Sequence, residues 1–323
     1  MSIAEEAKRR RTFGIISHPD AGKTTLTEKL LLYSGAIHLA GSVKSRKASR
    51  HAVSDWMKME QDRGISIAST VLQFEYEGTI VNLLDTPGHR DFSEDTYRVL
   101  SAVDAAIMVL DAAKGIEAQT LKLFEVCRAR NMPIITFINK WDRPSLDPLE
   151  LIDQIEQAIG VQTTPMTWPV GPGGEFEGVI NRQTDQFIRY TRTSRGATEA
   201  LEQTVELDPN NQIESDYLQS ALEEVQLLDE IGASHDQELF LAGETSPLFF
   251  GSALTNFGVR HLLNAVVNFA PSPSERETDD GATRDIDSSF SAFVFKVQAN
   301  MDPSHRDRVA FMRINSGYFE RGM

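Results

Sequence analysis

The 323-residue sequence has little cysteine, no long apolar run and a deficit of positive charge. Its single cysteine, Cys127, excludes an internal disulfide framework and a multi-cysteine zinc site, and is typical of a reducing compartment. No stretch reaches the roughly 18 apolar residues that a membrane-spanning helix needs. The 32 Lys and Arg against 47 Asp and Glu give a net charge of −15, which excludes generic attraction to phosphate backbones. We therefore expect a globular, cytoplasmic protein that binds neither membranes nor DNA.

The first half of the chain alternates short apolar runs with longer helical patterns. This alternation predicts an α/β domain with a mostly parallel sheet that is covered on both faces. The predicted strands span residues 12–17, 70–76, 79–85, 105–111 and 133–139. The predicted helices span residues 24–33, 118–130 and 258–269.

The pattern changes at about residue 168, where glycine and aromatic residues become frequent. We predict a domain over residues 1–271 with an insertion at about 168–245, in which strands are followed by an acidic helical stretch, 198–243. A Pro-, Ser- and Asp-rich linker is predicted over 272–287, and part of an antiparallel β-barrel over 288–323. About four strands are too few to close a barrel, so we expect the chain to stop within a domain.

The segment SHPDAGKTT, residues 17–25, lies between a predicted strand and a predicted helix. At such a junction, backbone N–H groups surround phosphates, Lys23 reaches the β- and γ-phosphates, and the Thr24 hydroxyl ligates Mg²⁺. Ser17 stands where the motif usually begins with glycine, and an incidental strand–turn–helix is the alternative. The predicted GTP-binding residues here are Ser17, His18, Pro19, Asp20, Ala21, Gly22, Lys23, Thr24 and Thr25.

The segment DTPGH, residues 85–89, begins at the last residue of the predicted strand 79–85 and predicts a γ-phosphate sensor. Asp85 at a strand end can hold Mg²⁺ through a water, and Gly88 can offer an unobstructed backbone N–H to the phosphate. His89 would then lie where an attacking water must be placed. A plain turn explains the bend but not the carboxylate at the strand end. The predicted GTP-binding residues here are Asp85, Thr86, Pro87, Gly88 and His89.

The segment NKWD, residues 139–142, ends a predicted strand and predicts guanine recognition. A carboxylate at Asp142 can accept hydrogen bonds from the ring N–H and the amine of guanine, whereas adenine would present an acceptor. Asn139 can tie neighbouring loops together, and the Lys140 stem can cover the base. A backbone N–H of the later segment GSAL, residues 251–254, would bind the guanine carbonyl. The predicted GTP-binding residues here are Asn139, Lys140, Asp142, Ser252, Ala253 and Leu254.

A long polar stretch, residues 35–68, separates the phosphate loop from the sensor. Long loops in compact domains are usually functional. Ser66 can be the second hydroxyl on Mg²⁺, so that GTP would order this stretch and hydrolysis would release it. The basic run at 44–51 is either a solvated loop or a contact to RNA phosphates.

Together, SHPDAGKTT, RGISI, DTPGH and NKWD resemble the translational GTPases, the family of elongation factors Tu and G. Within that family, DWMKMEQDRGISI and TWPVGPGGEFEGVINR are most similar to the bacterial GTPase-type class II peptide chain release factors. The resemblance implies a P-loop GTPase that binds GTP, GDP and Mg²⁺ and is activated by the ribosome. It implies two partners, which are the rRNA and proteins of the ribosomal GTPase-associated region and the class I peptide chain release factors.

The resemblance also implies roles for individual residues. His89 corresponds to the histidine that positions the hydrolytic water, and we favour this role over that of a general base. Asp20 corresponds to a carboxylate associated with charge balance near the β–γ bridge, and Gly88 to a γ-phosphate contact. The implied catalytic residues are therefore His89, Asp20 and Gly88, and the implied metal ligands are Thr24, Ser66 and, through a water, Asp85.

The leading functional hypothesis is a ribosome-dependent GTPase that promotes departure of class I release factors after peptide release. One alternative is an elongation-factor-G-like translocase or ribosome-protection GTPase with the same chemistry. Another is a nucleotide-gated ribosome-binding module with negligible turnover, which the contribution of His89 to GTP hydrolysis would distinguish from an enzyme.

Overall fold

The computed structural model describes residues 2–37, 70–86, 93–191, 197–207, 215–278, 280–299 and 308–323. Within these ranges the helices are α1 (Ile3–Lys8), α2 (Lys23–Tyr33), α3 (Ser93–Leu100), α4 (Ala118–Arg128), α5 (Pro148–Ile159), α6 (Asp216–Glu230), α7 (Gln237–Leu241) and α8 (Val259–Phe269). The strands are β1 (Arg10–Ser17), β2 (Thr70–Tyr76), β3 (Thr79–Asp85), β4 (Ala105–Asp111), β5 (Ile134–Asn139), β6 (Gln162–Pro165), β7 (Thr167–Val170), β8 (Gly178–Asn181), β9 (Gln186–Thr191), β10 (Leu201–Glu206), β11 (Thr245–Phe250), β12 (Arg276–Glu277), β13 (Thr283–Arg284), β14 (Ser291–Ala299) and β15 (Arg308–Ser316). No helix in these ranges combines the length and the hydropathy that a membrane crossing demands.

The main sheet has seven strands in the order β2-β3-β1-β4-β5-β11-β6. Every neighbouring pair is parallel except β2 with β3. Strands β4, β5 and β11 are buried along their whole length, because α2 and α8 cover one face and α3, α4 and α5 cover the other. The predicted α/β fold with a mostly parallel sheet is therefore confirmed.

Most predicted element bounds agree with the structure to within two residues. Strands β2, β3 and β4 have the predicted bounds, and β5 begins one residue later. Helix α4 ends at Arg128, two residues before the predicted end, because the chain turns there. Asn131 has a positive φ of 50°, and its N–H donates to the Arg128 carbonyl at 2.9 Å.

Residues 167–241 contain a second, antiparallel sheet in the order β10-β9-β8-β7, followed by α6 and α7. The prediction that residues 198–243 are helical is wrong for the first part, since Leu201–Glu206 form strand β10. Pairing with β9 over six residues determines this structure, and the Gln186 amide bonds the Glu206 carboxylate across the pair at 3.0 Å. Local composition does not reveal such a partner.

Antiparallel strands follow the α/β domain, as predicted. The segment that the sequence predicts as a linker, 272–287, contains a short hairpin, β12–β13. Its turn has Gly281 at φ 79° and a hydrogen bond from the Gly281 N–H to the Thr278 carbonyl at 2.8 Å. Strands β14 and β15 form the next hairpin, and β14 packs against α3. Arg313 on β15 donates to both carboxylate oxygens of Asp104 at 2.8 Å. This contact fastens the hairpin to the amino end of β4.

Candidate nucleotide-binding site

The predicted site residues lie along one edge of the main sheet. Strands β1, β3, β4, β5 and β11 run in the same direction, so their carboxyl ends meet there. Open α/β sheets bind ligands in the crevice outside these ends. The last residues of these five strands are Ser17, Asp85, Asp111, Asn139 and Phe250.

The phosphate loop connects β1 to α2. Gly22 is the N-cap of α2 in the left-handed conformation, φ 98°, and no side chain caps the first turn. A Cβ at Gly22 would overlap the side-chain amide of Asn139, so both the backbone angle and the space require glycine here. Backbone N–H groups at a helix start of this kind can bind an anion such as a phosphate.

The other phosphate-loop residues differ in exposure. Ser17, Ala21 and Lys23 are buried, and the Ser17 hydroxyl donates to the His18 carbonyl at 3.0 Å. Asp20 is exposed and also has a positive φ, 68°. The half-buried residues of the loop are Pro19, Gly22, Thr24 and Thr25.

His18 faces the protein interior at the start of α4. Its buried Nε2 lies against a carboxylate oxygen of Glu117, the N-cap residue of α4. Burial lowers the pKa of His18, and the Lys114 charge adds to this effect, while the Glu117 carboxylate opposes it. The lowered pKa favours the neutral imidazole, which packs as part of the loop wall. Sequence reasoning did not single out Glu117.

The end of β3 lies beside the phosphate loop. The Asp85 backbone pairs with Ile15 on β1, and the buried Thr86 hydroxyl donates to the Ile15 carbonyl. Thr24 and the Asp85 position are therefore on the same edge of the sheet, and their hydroxyl and carboxylate are oxygen donors of the kind that Mg²⁺ prefers. The site predictions that lie outside the described residues are those for the Asp85 side chain, Ser66, Pro87, Gly88, His89 and the 44–51 run.

The described residues contain no cluster of three or more His, Cys, Asp or Glu side chains that could hold a metal by themselves. Magnesium sites in nucleotide-binding proteins generally use one or two protein oxygens together with substrate phosphates and several waters.

Asn139 connects the phosphate loop with the loop that follows β11. Its Nδ2 donates to the Ala21 carbonyl at 2.7 Å, and its Oδ1 accepts from the Ala253 N–H at 2.8 Å. The side chain is buried, so both hydrogen bonds are shielded from water. One amide thus fixes the relative positions of two loops at the carboxyl edge of the sheet.

The Asp142 carboxylate is held from the same loop. The buried Ser252 hydroxyl donates to its Oδ1 at 2.5 Å, and the Thr255 N–H donates to the Ser252 oxygen at 3.2 Å. The Asp142 side chain is 10% exposed, and its Oδ2 lies 3.7 Å from Nε of the exposed Arg143. Leu254, the last residue of the predicted set, has an exposed side chain. An oriented carboxylate of this kind can accept two parallel hydrogen bonds from a base edge.

Lys140 pairs with a carboxylate that sequence reasoning missed. Its Nζ lies 2.7 Å from Oδ2 of Asp111, and the Ala113 N–H donates to Oδ1 of Asp111 at 3.0 Å. Burial would raise the pKa of Asp111, but these two hydrogen bonds and the charges of Lys140 and Lys114 outweigh it and hold the pKa below its ordinary value. The sequence feature that could have identified Asp111 is its position at the end of β4, which matches the position of Asp85 at the end of β3.

Comparisons with known proteins identify the family of the α/β domain. Residues 8–272 match the model of the elongation factor Tu GTP binding domain family, and residues 289–323 match elongation factor G domain 2. A crystal structure of a protein from Thermus thermophilus has a TM-score of 0.74 and 26% identity, covering 95% of this chain and 45% of that one.

Curated relatives named peptide chain release factor 3 match the whole chain. Identity is 55% over 327 residues to that of Nitrosomonas eutropha, covering 100% of this chain and 61% of the relative. It is 56% over 324 residues for Cyanothece sp., covering 99% and 60%, and 54% over 325 residues for Staphylococcus aureus, covering 100% and 62%. The chain thus spans about three fifths of the length of the curated relatives that it matches. The chain belongs to the translational GTPases, the family that carries the elongation factor Tu GTP binding domain, and within it resembles peptide chain release factor 3.

Proposed function

We propose that this chain is the GTP-hydrolysing part of a ribosome-dependent translation-termination factor. Residues 1–271 would form the GTP-binding domain, with an insertion at about 168–245, and residues 288–323 would begin a β-barrel after a linker. The observation that carries the proposal is Asn139, whose hydrogen bonds to Ala21 and Ala253 join the phosphate loop to the loop that follows β11, at the sheet edge where a nucleotide would bind. Identities of 54–56% to proteins named peptide chain release factor 3 add the assignment to termination.

In this proposal the phosphate loop binds the triphosphate. The first-turn N–H groups of α2 and Lys23 would contact the phosphates, and Gly88 would add an N–H to the γ-phosphate. Thr24, Ser66 and, through a water, Asp85 would hold Mg²⁺. The ion would supply positive charge that neutralises the phosphate oxygens as the terminal bond breaks.

Guanine would be recognised by the far end of the site. Asp142, oriented by Ser252, would accept from the ring N–H and the amine of the base. Lys140, with its ammonium on Asp111, would lay its methylene stem along the base, and the 251–254 loop would donate a backbone N–H to the carbonyl. Adenine would leave these buried groups unpaired, which is the usual source of strong discrimination.

His89 would place the attacking water in line with the γ-phosphate, and Asp20 would balance charge near the bridging oxygen. Placement and charge stabilisation contribute more than proton abstraction in phosphoryl transfer. The family resemblance implies that the ribosome would complete the site as activator.

On the ribosome, GTP binding would favour a state that class I release factors cannot occupy. This effect requires different affinities of the factor for two ribosomal states, since a ligand shifts only an equilibrium whose two states it binds differently. With a net charge of −15, docking would depend on local shape and on ribosomal proteins. These steps would take place in the cytoplasm, where translation occurs.

GTP hydrolysis by the full-length protein, measured with and without ribosomes, tests this proposal. We expect strong stimulation by ribosomes, and loss of most of it in His89→Ala with GTP binding retained. Hydrolysis that ribosomes do not stimulate would instead support a nucleotide-gated binding module. Stimulated hydrolysis that accompanies tRNA movement, with no effect on termination, would support the elongation-factor-G-like alternative.

A further inference from the structure

We propose that Trp141 and the glycine turn 171–174 of the insertion position Asp142 for guanine, so that the insertion is part of the base-recognition site. The inference rests on the proposed role of Asp142 in reading the base. It assigns Trp141 as a positioning residue, since the contacts that carry it are to other protein groups.

Trp141 immediately precedes Asp142, and both its side chain and its backbone are bonded to the turn. The fully buried indole donates from Nε1 to the Gly171 carbonyl at 3.2 Å. The Gly174 N–H donates to the Trp141 carbonyl at 3.0 Å. These two hydrogen bonds hold the residue next to the carboxylate from two directions.

The turn also packs closely against the backbone that follows Asp142. A Cβ at Gly173 would overlap the Arg143 carbonyl and the Ser145 hydroxyl. Gly173 does not have a positive φ, so close approach alone accounts for the glycine. The insertion thus contacts the residues on both sides of Asp142.

A cluster of three aromatic rings joins this segment to the other base-facing loop. Trp141 lies edge-on to Phe250 at 5.0 Å between ring centroids, and Trp168 on β7 lies edge-on to the same Phe250 at 5.5 Å. The backbone N–H of Trp141 donates to the Gly251 carbonyl at 3.1 Å. Ser252 comes directly after Gly251, and its hydroxyl donates to the Asp142 carboxylate. The carboxylate is therefore positioned by two loops, and both loops pack on the same three aromatic rings.

A positioning role of Trp141 and a purely structural packing role predict different changes in the affinities for GDP and inosine diphosphate. A carboxylate must lie in the plane of the base to accept from the ring N–H and the amine together, so a loosened Asp142 loses the paired contact first. Inosine diphosphate lacks the amine, so a misplaced Asp142 should lower its affinity less than that of GDP. A packing role would lower protein stability and leave the ratio of the two affinities unchanged.

The test is Trp141→Phe in the full-length protein, which keeps a ring in the cluster and removes the indole N–H. We expect GDP affinity to fall about tenfold, as expected for one buried hydrogen bond beside the ligand site. Affinity for inosine diphosphate should fall about threefold or less, so the preference for GDP shrinks. Both affinities can be measured by displacement of a fluorescent nucleotide.

Trp168→Phe is the matched control. Trp168 is equally buried and contacts the same Phe250, but its indole donates to Glu224 on α6 at 2.7 Å and not to the base-facing loop. We expect this variant to keep the wild-type ratio of GDP to inosine diphosphate affinity. If it reduces the ratio as much as Trp141→Phe does, general loosening of the core explains the result and the proposal is wrong.

Gly173→Ala keeps the proposal testable if Trp141→Phe does not fold. The added methyl would push the turn away from Arg143, and we expect the same loss of discrimination. An unchanged ratio in the folded positioning variants would overturn the proposal. Asp142→Ala tests the base-reading role of Asp142 separately from the positioning role of Trp141. An unchanged ratio of GDP to inosine diphosphate affinity in that variant would contradict the base-reading role itself.

Discussion

The two ends of the main sheet are held together by different chemistry. At the carboxyl end, loops are joined by an amide and a hydroxyl, through the bonds of Asn139 to Ala21 and of Ser252 to Asp142. At the amino end, Asp104 lies between two arginines. Both its oxygens accept from Arg313 at 2.8 Å, and Oδ1 also accepts from Arg276 at 3.0 Å.

The difference shows how one sheet can serve two purposes. Amide and hydroxyl groups join the carboxyl-end loops, and the ion pairs at this end use more exposed cations, since the Lys140 and Arg143 side chains are 21% and 53% exposed. At the amino end, buried opposite charges face each other and are matched within the protein. The Arg313 side chain is only 10% exposed, so its loss of hydration must be offset by Asp104 and by the Ala102 carbonyl, 3.1 Å from its Nη1.

The largest effect should come from Asp104→Ala. The change leaves Arg313 buried without its carboxylate, and we expect the free energy of unfolding to fall by about 3 kcal/mol. GDP affinity should stay within twofold, because the nucleotide edge is at the other end of the strands. Chemical denaturation measures the loss of stability, and nucleotide titration measures GDP affinity. A large loss of GDP affinity would contradict the claim that the two ends of the sheet serve different purposes.

Gly22→Ala should lower GDP affinity about a hundredfold, which is about 2.7 kcal/mol. The alanine cannot adopt φ 98° without strain, and its Cβ overlaps the Asn139 amide. Titration with a fluorescent nucleotide measures the loss. Gly78→Ala is the control, since Gly78 has φ 74° but nothing within 4 Å of an added Cβ. We expect that variant to cost about 1 kcal/mol of stability and to bind GDP normally.

Asn139→Ala should weaken GDP binding by about tenfold to thirtyfold, because two buried hydrogen bonds between the loops are lost together. The phosphate loop and the 251–254 loop would then be positioned independently. Isothermal titration with GDP gives the affinity, and the heat-capacity change should grow as loop ordering becomes part of binding. Wild-type affinity would show that the loops need no such connection.

Arg276→Ala should have the smallest effect. Arg276 also contacts Asp104, but its side chain is 37% exposed, and solvent screening limits such a pair to about 0.5 kcal/mol of unfolding free energy. Denaturation of this variant beside Arg313→Ala sharpens the comparison, because the more buried arginine should cost several times more. Equal losses would mean that burial does not decide the strength of this cluster.

Much of the fold could be predicted from local pattern. Strands β3 and β4 each end in an aspartate, and a uniformly apolar run such as that of β4 is typical of a parallel sheet buried on both faces. The order of motifs at strand ends then predicted one ligand edge, because carboxyl ends of parallel strands meet.

The remaining features depend on partners that are distant in sequence. Arg313 and Asp104 are 209 residues apart, and Trp141 and Gly171 are 30 residues apart. Strand β10 forms because β9 offers an edge, although its own residues are mostly polar and exposed. Periodicity describes one segment at a time, so it does not reveal which segments meet.

The central claim is tested most directly by following a labelled class I release factor as it leaves post-termination ribosomes, with and without the full-length protein and GTP. We predict faster departure that requires both the full-length protein and GTP. Unchanged departure in the presence of ribosome-stimulated GTP hydrolysis would contradict the termination role and leave the nucleotide site to serve another ribosomal step.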